Sequence, residues 1–199
     1  VAAPEPRPAL ALRPRRVSVS DVETWIKNPY AIFARHVLGL EALPELGAEP
    51  GPREKGQIVH EALSRFANRY PEHLPSDIAA ELLSDAREVV RELSGHPRVA
   101  AFWLPRLARF AEWFAETEPA RRLRVDWLVA EVGGELVLAS SGVPFRLRAR
   151  ADRIDSAAGC PTISEYKTGV LPNDKAVLTG AAPQLPLEAA IAAAGGFER

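Results

Sequence analysis

Apolar residues recur with a helical period through the first half of the chain. Val59, Ala62, Leu63 and Phe66 follow the i, i+3, i+4, i+7 spacing of one helix face, within a helix expected over residues 53–68. The same reasoning predicts further helices over four ranges: 20–27, 30–38, 76–93 and 99–116. The N-terminal half is therefore expected to be helical.

Short sequence signals indicate where some of these helices begin. Ser20 followed three residues later by Glu23 has the form of a capping box. Pro29 suits the first position of the second helix, because that position needs no backbone N–H. Ser76 is the expected N-cap of the helix that follows it.

The helix expected over residues 99–116 carries several aromatic residues, among them Phe102, Trp103, Phe110 and Trp113. Aromatic side chains at helical spacing are buried in a core far more often than they stack on nucleic-acid bases. We therefore interpret this face as core packing rather than as a base-stacking surface.

After Pro119 the apolar period changes to two, which predicts strands. Gly133 and Gly134 are expected to form a hairpin turn, and Ser141 and Gly142 a second one. The predicted strands cover four ranges: 123–131, 135–140, 143–155 and 162–167. A last helix is expected over residues 184–194, so the expected order is helices, a three-strand meander, a fourth strand and a final helix.

The ends and composition of the chain add a few limits. Residues 1–16, rich in Pro and Arg, are expected to be a linker or docking arm, residues 41–52 a loop, and residues 17–199 one domain. Hydrophobic residues make up 47% of the chain, but no apolar run approaches the roughly 18 residues that a membrane span needs. No secretory leader is recognised, and Cys160 as the single cysteine excludes an internal disulfide. A cytoplasmic setting fits.

Asp152, Glu165 and Lys167 are the candidate catalytic residues. Side chains alternate faces along a strand, so Glu165 and Lys167 are expected to project from one face, close to Asp152 on the preceding strand. Two neighbouring carboxylates repel each other and favour a divalent cation, and hard oxygen ligands select Mg²⁺ or Mn²⁺. A nearby lysine can orient water or stabilise charge on a phosphate. The alternative is a set of surface ion pairs beside an edge strand.

Other residues have a functional and a structural interpretation side by side. His60 could be a metal ligand or an ordinary solvated histidine. Arg146, Arg148 and Arg150, on the face of Asp152 by strand period, could form a cationic track for DNA or could pair with acids on the early helices. Glu131 could be an outer metal ligand, a support for Lys167, or a member of a structural ion pair.

Four blocks in this order resemble the RecB-type branch of the PD-(D/E)XK nucleases, and among these the nuclease domain of AddB, a subunit of the AddAB helicase–nuclease. The blocks are Gly56-x-x-x-His60, then A-R-A-D-R-I-D over 149–155, then E-Y-K-T-G over 165–169, then Q-L-P-L-E over 184–188. The run Ser18–Ser20 followed by Asn28–Tyr30 also resembles the start of that domain. The matching blocks cover about half of the chain.

The resemblance implies a fold, a site and a role. The fold would be α/β (α+β) with a restriction-endonuclease-like core, a mixed central sheet flanked by helices. His60, Asp152, Glu165 and the backbone carbonyl of Tyr166 would bind Mg²⁺ or Mn²⁺. Lys167 would be the catalytic lysine. Gln184 would help to organise the site or the DNA strand.

The reaction implied is metal-dependent hydrolysis of DNA phosphodiesters during double-strand break end processing, as an exonuclease. An AddA-like helicase subunit would be the partner in a heterodimer. The alternatives are a non-catalytic module of the same fold that binds DNA or the partner, and a free-standing exonuclease. The intact set His60, Asp152, Glu165 and Lys167 argues against the non-catalytic module.

Two features depart from the pattern of AddB nuclease domains. Many of those domains hold a [4Fe–4S] cluster with four cysteines, but Asn28 occupies one of the positions and Cys160 lies outside the motifs. No iron–sulfur cluster is therefore expected. The family domain also continues into another strand beyond the last helix, so this chain is expected to be a C-terminally truncated piece of a longer protein.

Overall fold

The computed structural model describes residues 5–43, 51–94, 97–139 and 142–198. Within them the chain forms seven α-helices: α1 Val19–Lys27, α2 Pro29–His36, α3 Pro52–Arg69, α4 Ile78–Ser94, α5 Pro97–Arg122, α6 Asp174–Leu178 and α7 Gln184–Ala193. It also forms four strands: β1 Arg16–Ser18, β2 Trp127–Leu138, β3 Phe145–Ala157 and β4 Cys160–Ser164. A short 3-10 turn covers Leu10–Leu12. None of these helices is long and apolar enough to cross a membrane.

The four strands form a mixed sheet in the order β1-β3-β2, with β4 also pairing with β3. β1 pairs with β3 in parallel, with Val17 opposite Leu147. β4 pairs with β3 in antiparallel orientation, with Ile154 opposite Ile163. The predicted α/β class with a mixed central sheet and flanking helices is confirmed.

The chain divides into two compact units. Of the described residues, the first contains 5–43, 133–139, 142–150 and 172–198, and the second contains 51–94, 97–132 and 151–171. β2 and β3 each pass from one unit to the other along the chain. The two units are described separately.

The second unit is built on the three long helices α3, α4 and α5. The apolar stripe of α3 is buried, and Phe66 is 0% exposed. It packs with Leu82 and Val89 of α4 and with Leu107 and Phe114 of α5 in one hydrophobic cluster. The periodicity that predicted the helix over 53–68 thus marks the face that folding buries.

The first unit has a smaller core. Val17 and Val19 at the start of the domain pack with Leu147 of β3 and Ile191 of α7. Because Val17 belongs to β1, residues 16–18 form a strand where a linker was expected up to residue 16. The burial of Val17, 2% exposed, accounts for that short parallel strand.

Two predicted helix starts are displaced. The capping box of α1 is formed by Ser18 and Asp21, whose backbone N–H donates to the Ser18 hydroxyl at 3.0 Å, rather than by Ser20 and Glu23. The earlier start places Val19 in the core. At α4 the backbone N–H of Ala80 donates to the Asp77 carboxylate at 2.9 Å. Asp77 therefore caps this helix in place of the predicted Ser76.

The predicted hairpin turn at Gly133–Gly134 is wrong, because β2 continues through both residues. Gly134 forms a bridge with Phe197, and the N–H of Glu135 donates to the carbonyl of Gly196 at 2.8 Å. A Cβ on Gly134 would lie only 2.5 Å from the Phe197 ring. The glycine therefore allows a close approach of the C-terminal segment. The predicted turn at Ser141 and most of the loop over 41–52 lie outside the described residues.

Candidate active site

Asp152 lies at the centre of a group of polar side chains in the second unit. Along β3 its neighbours Ala151 and Arg153 are 0% and 1% exposed, whereas the side chain of Asp152 keeps 11% of its surface exposed. Its Oδ1 lies 3.0 Å from Nδ1 of His60, and its Oδ2 accepts a hydrogen bond from the backbone N–H of Tyr166 at 2.7 Å. Both carboxylate oxygens are thus fixed in position.

His60 is presented by α3 beside the buried stripe of that helix, and its side chain is 28% exposed. Its hydrogen bond to Asp152 raises the pKa of the imidazole, and the negative charges of Asp152 and Glu131 and the backbone of Tyr166 add to the effect against the opposing effect of burial. One helical turn earlier, a Cβ on Gly56 would lie 3.4 Å from the hydroxyl of Thr168. This distance is an ordinary van der Waals contact, so α3 lies beside the segment that contains Tyr166 without requiring glycine at position 56.

Glu131 is the third member of this group. One potential ligand atom from each of His60, Glu131 and Asp152 lies within 4.8 Å of the other two. Glu131 has φ of 52° inside strand β2, a left-handed conformation that costs energy for a residue with a side chain. Such a backbone irregularity in a strand redirects a side chain, here towards His60 and Asp152.

Glu165, Tyr166 and Lys167 follow directly after β4, which ends at Ser164, so the prediction that they belong to the strand is wrong. Glu165 and Lys167 nevertheless come together, because Nζ of Lys167 lies 3.2 Å from Oε2 of Glu165. The Glu165 side chain is 4% exposed and that of Lys167 is 36% exposed. The Lys167 side chain is therefore partly exposed to solvent, whereas the Glu165 carboxylate that binds its ammonium group is buried.

Tyr166 connects the two halves of the site. Its backbone N–H binds Asp152, and its ring meets the ring of His60 edge-on, with centroids 6.3 Å apart and planes at 87°. The ring also packs against the hydrophobic cluster of the three long helices. The backbone at residue 166 is thereby fixed beside the carboxylate and the imidazole.

Arg153 supports Asp152 from the opposite face of β3. Its guanidinium donates to Asp155 at 2.6 Å and to Glu118 of α5 at 2.7 Å, with all three side chains buried. Because neighbouring residues of a strand face opposite sides, this network fixes the strand without occupying the site. Asp155 also binds Arg121 at 2.9 Å.

The donor set fits a divalent cation. Two carboxylates and one imidazole converge, and hard carboxylate oxygens are ligands that Mg²⁺ and Mn²⁺ accept. Among the described residues the converging group contains Glu131 and not Glu165, whose Oε2 binds Lys167. That Glu165 and the Tyr166 carbonyl are ligands stays a prediction.

The remaining predicted residues belong to the first unit. Arg148 lies 4.0 Å from the Glu135 carboxylate of β2, and Arg146 pairs with the same carboxylate. The acidic partner of these two arginines is therefore on the adjacent strand and not on the early helices. Gln184 is the first residue of α7 and binds Glu188 at 3.3 Å. Roles for Arg148, Arg150 and Gln184 at the active site stay predictions.

The location of Glu131 in the site goes beyond what the sequence indicated. A glutamate at the end of a predicted strand allowed three interpretations, and alternation placed it with Trp127 and Val129. The positive φ at residue 131 breaks that alternation. The one sequence feature that indicated Glu131 was a carboxylate within an otherwise apolar strand, next to the strand that contains Asp152.

Comparisons with known proteins are consistent with this geometry. The family model described as the PD-(D/E)XK nuclease superfamily matches residues 16–199. An uncharacterized protein of Rickettsia bellii (strain RML369-C) is 29% identical over 185 residues, covering 92% of this chain and 22% of the relative. One of Rickettsia felis (strain URRWXCal2) is 30% identical over 193 residues, with the same coverage. The chain spans about a fifth of the length of these relatives. It belongs to the PD-(D/E)XK nuclease superfamily.

Proposed function

We propose that this chain is a metal-dependent deoxyribonuclease domain. The observation that carries the proposal is the convergence of His60, Glu131 and Asp152 within 4.8 Å, beside the Glu165–Lys167 pair. In this proposal His60, Asp152 and Glu131 hold Mg²⁺ or Mn²⁺, with Glu165 and the Tyr166 carbonyl completing the site. The cation, when bound, polarises the phosphodiester and lowers the pKa of water.

The protein side chains then have separate tasks. Asp152 is held by two hydrogen bonds, so it presents its charge in one orientation. Lys167 is oriented by Glu165 and remains partly exposed, so its ammonium can bind the scissile phosphate and stabilise the charge that grows on it. The backbone N–H of Tyr166 binds Asp152, and Lys167 is the next residue in the chain. Tyr166 therefore keeps Asp152 and Lys167 at a fixed separation.

Lys167→Ala tests this assignment. In the complete protein, the substitution should abolish cleavage of DNA in Mg²⁺ or Mn²⁺ while metal affinity and the melting temperature are kept. Lys175→Ala, on the exposed helix α6, is the matched control and should cleave normally. Cleavage retained by purified Lys167→Ala would refute the mechanism. Loss of folding would be visible in the melting curve.

We further propose a role in DNA end processing, as an exonuclease subunit that works in the cytoplasm with an AddA-like helicase. The order of the four sequence blocks supports this role, and the chain's coverage of only 22% of its relatives leaves room in them for other functions. With an AddA-like helicase present to unwind the ends, the complete protein should degrade linear duplex DNA and leave closed circular DNA intact. Equal cleavage of both substrates would refute dependence on ends.

A further inference from the structure

A pocket of about 370 Å³ opens beside the catalytic lysine, within the second unit. Helices α3 and α5 and the segment after β4 line it. Its walls are mainly apolar and aromatic, and Trp103, Phe110 and Trp113 contribute to them. Lys55 and Arg106 also line it, together with Lys167.

The aromatic residues of α5 were predicted to form one buried face, but they divide into a buried group and an exposed group. Trp103 is 6% exposed and belongs to the core, as predicted. Trp113, in contrast, is 56% exposed although it lines the pocket. Its ring lies 5.8 Å from that of Phe110 at an interplanar angle of 34°. A large aromatic ring at the mouth of a pocket offers a flat face on which a planar ligand can stack.

The charges around the pocket favour an anionic chain. The guanidinium of Arg106 lies over the ring of Phe102, with its Cζ 3.9 Å from the ring centroid, which holds it at the surface. Lys55, Arg106 and Lys167 supply three positive charges, whereas Glu165 is the single acid among the described residues that line the pocket. Aromatic faces beside basic groups are the means by which proteins bind single-stranded nucleic acid.

We propose that this pocket binds one unstacked base of a single DNA strand, next to the phosphate that Lys167 contacts, with Trp113 as the stacking platform. The proposal rests on the nuclease function proposed above and names its substrate as single-stranded. A base that is paired and stacked in a duplex is not available to enter a pocket of this size. Trp113 and Arg106 would therefore determine specificity for single strands.

Binding can be measured without cleavage in an Asp152→Asn background, with fluorescence anisotropy of a labelled single-stranded oligonucleotide and the complete protein. Trp113→Ala should weaken binding about tenfold, within the range for loss of one stacked base, and Trp113→Phe should restore most of it. Trp25→Ala is the matched control, because Trp25 is 42% exposed and does not line this pocket. Equal binding by Trp113→Ala and Trp25→Ala would overturn the proposal.

A single abasic site moved along the oligonucleotide tests the contact directly. At one position near the scissile phosphate, loss of the base should slow cleavage by otherwise unchanged protein about tenfold, and Trp113→Ala should be insensitive to it. Cleavage that ignores the abasic site at every position refutes the base pocket while leaving the nuclease function intact. Base-dependent binding through Trp113 in a protein that never cleaves supports the pocket and refutes the nuclease.

Another segment of the complete protein is the competing occupant of this pocket. In that case Trp113→Ala would lower the melting temperature without changing the response to an abasic site, and the proposal would fail. Trp113→Leu separates the two cases. An apolar protein contact tolerates leucine, whereas base stacking requires an aromatic face.

Discussion

The carboxylate of Asp152 is held from two sides, by the ring of His60 at 3.0 Å and by the backbone N–H of Tyr166 at 2.7 Å. These contacts connect α3, β3 and the segment after β4, which are far apart in the sequence. Asp152 therefore has a structural task as well as its proposed role as a ligand. The two tasks can be separated by substitution.

Asp152→Asn should keep the structural task and lose the charge. An amide oxygen can still accept the hydrogen bond from Tyr166, but a neutral group is a poor ligand for Mg²⁺ or Mn²⁺. Asp152→Ala loses both the charge and the acceptor. Its free energy of unfolding should fall by about 1–3 kcal/mol, because the partly buried N–H of Tyr166 loses its partner. Calorimetric titration with Mn²⁺ and urea unfolding check this. Metal binding by Asp152→Asn equal to that of the unchanged protein would contradict it.

Glu131 should contribute to metal affinity at a cost in backbone strain. Glu131→Gln is expected to weaken Mn²⁺ binding about 10–100-fold, the range reported for groups that support a metal site. Glu131→Gly should be more stable than Glu131→Ala by about 1 kcal/mol, because glycine adopts φ of 52° without strain. Titration and melting curves measure the two effects. If Glu131→Ala matches Glu131→Gly in stability, the strain argument fails.

The sequence was sufficient for the described helices other than the short α6, where a loop was expected, and for the class of fold. The stripe from Val59 to Phe66 marks the buried face of α3 because burial of apolar surface determines both the periodicity and the packing. Asp152, Glu165 and Lys167 could also be selected as candidate residues, since their order and spacing resemble a known family, and their catalytic roles stay predictions. Periodicity therefore identifies the scaffold, and resemblance identifies the candidate residues.

What the sequence could not provide depends on contacts between distant segments. Gly133 and Gly134 resemble a turn, but Phe197 packs on Gly134 and the strand continues. Glu131 joins His60 and Asp152 only because its backbone adopts a left-handed conformation, which no local pattern indicates.

The buried Arg153–Glu118 pair should be essential for stability. Arg153→Met keeps much of the volume but removes the positive charge next to two buried carboxylates, those of Glu118 and Asp155. Loss of one partner of a buried pair costs about 3–5 kcal/mol. The control is Arg65→Ala, which removes more exposed ion pairs with Glu61 and Glu92 and should cost at most about 1 kcal/mol. Equal losses in urea unfolding would contradict the prediction.

The capping carboxylate of Asp21 should make stability depend on pH in the acid range. Burial opposes its ionisation, but hydrogen bonds from Ser18 and the neighbouring His36 outweigh that effect and lower its pKa below the ordinary value of 3.8. A carboxylate with a lowered pKa stabilises the fold above the ordinary value, and this contribution disappears as pH falls through the lowered pKa. The amide oxygen of Asp21→Asn can still accept the hydrogen bond from the Ser18 N–H, so the substitution removes only the charge. It should therefore cost about 0.3–1 kcal/mol near neutral pH, as loss of an acidic charge at a helix N-terminus does, and progressively less below pH 3.8. Urea unfolding of both proteins across this range gives the difference, in which the titration of groups that do not contact Asp21 cancels. A difference that stays constant with pH would show that the charge of Asp21 contributes nothing.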